Sequence, residues 1–187
     1  MRLAQALTTF AQVSIHDDPD AAARALDEVT DLPSENLGTD VRAWALSTRA
    51  ELYASAGDAH AAAVMLHQAL DAWGDDIPAP AVVRAAGHAA MILGAPGQSA
   101  TAAVLAGAAT TGPLSGVVEF RFDRRTRTAL EEMIEHLRAT LGSEVYDAEA
   151  ARGAAMSSDE LLHVLRHAVN AALAAPERDA PSSTPVS

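Results

Sequence analysis

The chain is predicted to be all-α, a right-handed α-solenoid of helical hairpins closed by a C-terminal helical cap. Three observations predict that class. A small residue followed by apolar or small residues four and seven positions later recurs as Ala22, Leu26, Val29, as Ala62, Leu66, Ala69 and as Ala102, Ala106, Ala109. Both intervals are 40 residues, a period expected of stacked helical hairpins and not of a single closed core. Each copy also follows a helix breaker, Pro19, Gly57 or Gly97. Alanine fills about a quarter of the positions while aromatics supply 4%, which favours closely approaching helices over strands.

The elements follow in order. Residues 1–16 read as a helix with Leu3, Leu7, Phe10 and Val13 or Ser14 on one apolar face, stopped at Asp17-Asp18-Pro19. Pro19 suits a first helical position, and the second helix carries Ala21 to Val29 before Asp31-Leu32-Pro33 ends it. After a loop at residues 36–39, Thr39 or Asp40 can cap a helix to Ala56. Gly57-Asp58 then turns the chain into an antiparallel partner over residues 59–72. A third hairpin joins residues 81–93 to residues 99–110 through Gly94-Ala95-Pro96-Gly97. Beyond Gly112-Pro113 the texture changes. Val117 to Phe122 can be extended, and Asp123 can cap a helix to Leu141 with Leu130, Met133, Ile134, Leu137 and Leu141 inward. Gly142 stops it and Ser143 starts a short helix. Ser157 and Glu160 form a capping box for a last helix that buries Leu161, Leu162, Leu165, Val169 and Leu173. The domain organisation is therefore three hairpins over residues 1–112, a helical cap over 113–175 and a disordered tail over 176–187.

Composition narrows the function classes. A net charge of −12, from 25 acidic and 13 basic residues, argues against direct nucleic-acid binding. All the basic residues are arginine, so Schiff-base chemistry and a phosphate-gripping P-loop lysine are excluded. The chain has no cysteine, which removes thiolate catalysis and Cys-type metal sites and fits a reducing, cytoplasmic setting. Residues 1–13 lack the pattern of a signal peptide, and no run of roughly 18 apolar residues reads as a membrane span.

The second copy resembles a tetratricopeptide repeat. Leu46, Ala50 and Tyr53 stand on its first helix, Gly57-Asp58 in the turn, and Ala62, Leu66 and Ala69 on its second. It departs from that pattern at Arg49, where an apolar residue is expected, and its period exceeds the typical repeat length. A second resemblance begins at GQSATAAVLAGAATTG and continues through RTRTALEEMIEHLRATLGSEVYDAEAARGAAMSSDELLHVLRHAV. This string is similar to the C-terminal helical region of large ATP-binding bacterial transcription regulators of the LuxR, MalT and AfsR kind. The resemblance implies a sensor or protein-interaction arm of a transcription-regulatory system. The chain lacks a Walker motif and a recognisable helix-turn-helix, so the ATPase and operator-reading roles of that group do not transfer.

In tetratricopeptide arrays the first helix of each hairpin lines a concave groove. That facing, carried onto this chain, selects Trp44, Ser47 and Glu51, then Arg84, Gly87 and Met91, as the partner-binding surface. An exposed Trp44 would suit an anchor for a peptide or helix. The alternative places Trp44 inside an inter-repeat contact. Arg121, Arg124, Arg125 and Arg127 crowd a helix start whose dipole disfavours cations, which makes them either a secondary patch for an anionic partner or a charged turn balanced by Glu119 and Asp123. His163 and His167 lie four apart, and His60 and His67 seven apart beside His88 of a neighbouring repeat, too sparse for a metal site, and no cofactor is expected. No Ser, His and acid combination stands out as catalytic.

The expected function is a non-catalytic interaction or sensor domain that binds a partner segment or effector in its groove. A small-molecule-binding domain with an apolar pocket lined by Met91, Leu93 and Leu105 is the rival. Self-association, simplest as a homodimer, follows if the alanine-rich stretch from Ala100 to Ala109 stays uncovered.

Overall fold

Turn chemistry sets the helix order. Gly57 takes φ +81°, a conformation open to glycine, and its N–H and that of Asp58 donate to the Ala54 and Tyr53 carbonyls. The Asp58 carboxylate then accepts from the Ala61 N–H at 2.9 Å and opens the next helix. Asp18 does the same for Ala21, with Pro19 behind it in the first helical position.

The computed structural model describes residues 2–33, 37–75, 77–94, 98–112 and 124–175. Among them are nine helices and no strand. These are α1 (Arg2–Ser14), α2 (Pro19–Asp31), α3 (Thr39–Ser55), α4 (Ala59–Trp73), α5 (Ala79–Leu93), α6 (Ser99–Thr111), α7 (Arg124–Leu141), α8 (Ser143–Ala154) and α9 (Ser158–Ala174). The chain is all-helical. The segment expected to be extended at Val117 to Phe122, Arg121, the Asp123 cap and the tail from Pro176 lie outside the described residues.

Helix pairs α1/α2, α3/α4 and α5/α6 pack as hairpins, with α1 beside α3 and α3 beside α5. All nine positions of the 40-residue pattern are buried, from Ala22, Leu26 and Val29 through Ala62, Leu66 and Ala69 to Ala102, Ala106 and Ala109. Arg49, the departure from an apolar pattern, keeps its stem largely covered and sends its guanidinium to Asp27 on α2.

One inward face differs from the sequence pattern. On α1 the buried residues are Ala4, Thr8 and Ala11, followed by Ile15 just past its end, while Leu3, Phe10 and Val13 are 54%, 48% and 66% exposed. The alanines allow α1 to approach α2 and α3 closely, a crossing that bulkier side chains would hold apart.

The C-terminal helices enclose the third hairpin. Helix α8 lies on α6, α9 spans α4, α5 and α6, and α7 meets α5 and α6. This is why α5 and α6 carry no polar face: from Ala81 to Leu93 only Met91 is not buried, and Ala102 to Ala109 are buried throughout. Of the stretch expected to stay uncovered and invite self-association, Ala102 to Ala109 are therefore covered within the chain, while Ala100 is exposed. Contact between α6 and α8 is backbone-close. A Cβ on Gly107 would stand 2.1 Å from the Ala150 carbonyl oxygen, and one on Gly153 would stand 1.9 Å from that of Val104. Ser157 and Glu160 close a full capping box at the start of α9, and Leu161, Leu165 and Val169 point inward. No helix of the described residues is long and apolar enough to cross a membrane.

A candidate binding cleft beside a buried charge network

Helices α1, α3 and α5 run in the same direction side by side, and their facing side chains form a buried polar network. Glu51, 5% exposed, receives an Arg84 Nη2 hydrogen bond at 3.2 Å, and His88 Nε2 lies 3.2 Å from the same carboxylate oxygen. His88 is fully buried, and its Nδ1 stands 3.4 Å from the Ser47 hydroxyl. A guanidinium only donates, so the Gln12 amide from α1 presents its oxygen to Arg84 and accepts from Nη1 and Nη2 at 3.1 and 3.2 Å. The Arg84 guanidinium also stands over the Trp44 ring, 5.4 Å from its centroid, and Trp44 meets Trp73 edge-on at 5.3 Å. Three hairpins are thus tied through one charge pair. Removing water from such a pair is costly unless its lone pairs and protons are matched; Gln12 and His88 supply part of that match, while Arg84 Nε has no hydrogen-bond partner among the described residues.

Ser47, His88 and Glu51 have the composition of a nucleophile-activating array. Ser47 and His88 are both 0% exposed, however, so no substrate carbonyl can reach the hydroxyl. The array is suited to hold helices together.

Toward the C-terminal ends of α1, α3 and α5 the network opens into a cleft of about 180 Å³, lined by His16, Glu51, Ala54, Ser55, Met91, Ala129 and Met133. The last two come from α7, whose second and third turns form the opposite wall. Met133 is held there by packing against Gly94, where an added Cβ would meet its Cγ at 3.4 Å.

The structure brings the sequence-selected residues Trp44, Ser47, Glu51 and Arg84 together, but all except Trp44 are buried among α1, α3 and α5, and Ser47 and Arg84 line no open groove. Trp44 is half-buried in the inter-helix contact just described. Glu51 and Met91 reach the cleft. Leu93 and Leu105, proposed with Met91 to line an apolar pocket, are 3% and 0% exposed within the closed core. Helix α7 carries the basic cluster: Arg127 is exposed, the side chains of Arg124 and Arg125 lie outside the described set, as does Arg121 entirely. His163 and His167 are exposed, and His67 pairs with Asp71 at 3.3 Å. Among the described residues no group of three or more metal-ligating side chains forms.

Sequence reasoning set His88 aside with His60 and His67 as a weak histidine group and did not select Thr48, Gln12, His16 or Met133 for the site. A signal for two of them existed, because the 40-residue register of the second helices, applied to the first helices, aligns Thr8, Thr48 and His88, all buried. No protein-family model, curated protein or solved structure matches the chain.

Proposed function

We propose that this chain is a non-catalytic recognition module, a solenoid of tetratricopeptide-like hairpins serving a bacterial transcription-regulatory system, and that it receives a partner segment at the cleft between α3, α5 and α7. The resemblance of residues from Gly97 onward to the arm of the LuxR, MalT and AfsR kind of regulator supports the regulatory setting. Burial of all nine positions of the 40-residue pattern supports the repeat architecture.

The cleft carries the reading. Sites for whole small molecules span about 300–1,000 Å³. At about 180 Å³ this one holds roughly six waters' worth of volume, the room of one anchoring side chain and not of a metabolite. A side chain inserted there would touch Glu51, and through it the Arg84 and Gln12 contacts that join three hairpins, so occupancy favours whichever packing of the hairpins the occupant prefers.

The test is selection of random peptides on the full chain, with counter-selection on an Ala129→Trp variant that fills the cleft from its exposed wall. Peptides that bind the parent and lose the variant support the reading. Enrichment of peptides that bind both equally, or no enrichment, overturns it.

A further inference from the structure

Helix α1 turns an apolar stripe to solvent. At about 100° of rotation per residue, Leu3, Ala6, Phe10 and Val13 fall along one line of the helix, on the far side from the inward Ala4, Thr8, Ala11 and Ile15. All four stripe residues are exposed. The end unit of a stack of hairpins ordinarily needs a polar outer face, and this one is apolar.

Helix α3 shows what such a face does. Its Ala43, Leu46 and Ala50 join the core formed with α4, while Val41, Ala45 and Leu52 pack on the first hairpin. By helical rotation the second set lies about 150° around α3 from the first, and on α1 the stripe lies about 150° from the inward residues in the same sense. The stripe therefore stands at the place on α1 that, on α3, receives a neighbouring hairpin. Its natural occupant is a helix.

Two observations point to a second copy as the source of that helix. Among the described residues the exposed large hydrophobics are Leu3, Phe10 and Val13 on the stripe and Val145 on α8. In another copy only the stripe itself offers a matching apolar line, and a face that meets itself is the isologous contact of a two-fold dimer. Charge agrees. The chain carries −12 overall, yet residues 2–16 hold no acidic residue, so α1 lets two copies approach with little repulsion.

We propose that α1 is a self-association face that pairs antiparallel with α1 of a second copy. Centred between Ala6 and Phe10, this pairing sets each Phe10 over the small Ala6 of the other copy and each Leu3 over Val13. It also turns Arg2 toward the other copy's exposed Asp18 and Asp20, just past the end of α1. A 13-residue helix, about 20 Å long, covers less than the roughly 800 Å² per partner of a standard interface, so the dimer is weak and reversible. The proposal is independent of the cleft.

Sedimentation equilibrium of the full chain tests it, with the average mass expected to rise from one copy at about 10 µM toward two at about 1 mM. Phe10→Glu and Ala6→Glu, both at exposed helical positions, should keep the fold by circular dichroism and weaken association at least about ten-fold. Val145→Glu adds the same charge on α8 and should leave association unchanged. The chain has no cysteine, so an oxidised equimolar mixture of Leu3→Cys and Val13→Cys chains should yield chiefly the mixed disulfide dimer by mass spectrometry. A chain that stays monomeric to about 1 mM overturns the proposal. So does association that survives both α1 variants or falls equally with Val145→Glu, and so does a mixed disulfide no more abundant than the two like ones.

Discussion

Glu51 and Arg84, 33 residues apart, meet at 3.2 Å with each side chain at most 6% exposed, and the pair joins the second hairpin to the third. Breaking a buried pair from one side leaves an uncompensated charge. Arg84→Met should therefore lower unfolding free energy by about 3–5 kcal/mol in urea titrations, whereas Glu51→Leu combined with Arg84→Met should recover most of that loss. Equal loss in the single and double variants would show that packing and not charge dominates the site.

The α6/α8 crossing gives a steric prediction. Gly107→Ala and Gly153→Ala each place a methyl inside a carbonyl's contact distance, and relief requires the helices to separate. Each should cost about 1–3 kcal/mol by chemical denaturation. Since one separation relieves both clashes, the double variant should cost less than the sum.

The capping box of α9 gives a pH dependence. Hydrogen bonds from the Ser157 backbone N–H and hydroxyl hold the Glu160 carboxyl below the ordinary carboxylate range. A value depressed by folding contributes stability that is present above the ordinary unfolded value and is lost as pH falls through the folded one. Wild type should exceed Glu160→Gln in stability at about pH 7, and the gap should close toward about pH 3 in a series of thermal melts.

The reversed face of α1 is testable by contrast. Phe10→Ser, at a position 48% exposed, should change stability by no more than about 0.5 kcal/mol. Ala11→Leu, at a position 0% exposed, should destabilise by about 1–3 kcal/mol. The opposite ranking would restore Phe10 to the core.

Much of the fold was legible because its signals are local or periodic. Breakers at Pro19, Gly57 and Gly142 and the Ser157–Glu160 box mark helix ends through hydrogen bonds that span a few residues. The 40-residue recurrence of Ala22, Ala62 and Ala102 marks positions that are all fully buried. The α1 error had a physical source: hydrophobic spacing favours Leu3, Phe10 and Val13, yet the approach distance of α2 and α3 favours Ala4 and Ala11.

The sequence by itself determined the helical class, the helix limits and the residue types free to carry chemistry, since propensity, capping and composition act without regard to distant neighbours. Tertiary structure alone decided that Glu51, Arg84, His88 and Gln12 form one buried network, and that α7 crosses near His16 to leave a cleft. Such contacts depend on how far helices approach and how they rotate about their axes. A shift of one residue in either moves a side chain by about 100° around its helix, which no local pattern specifies.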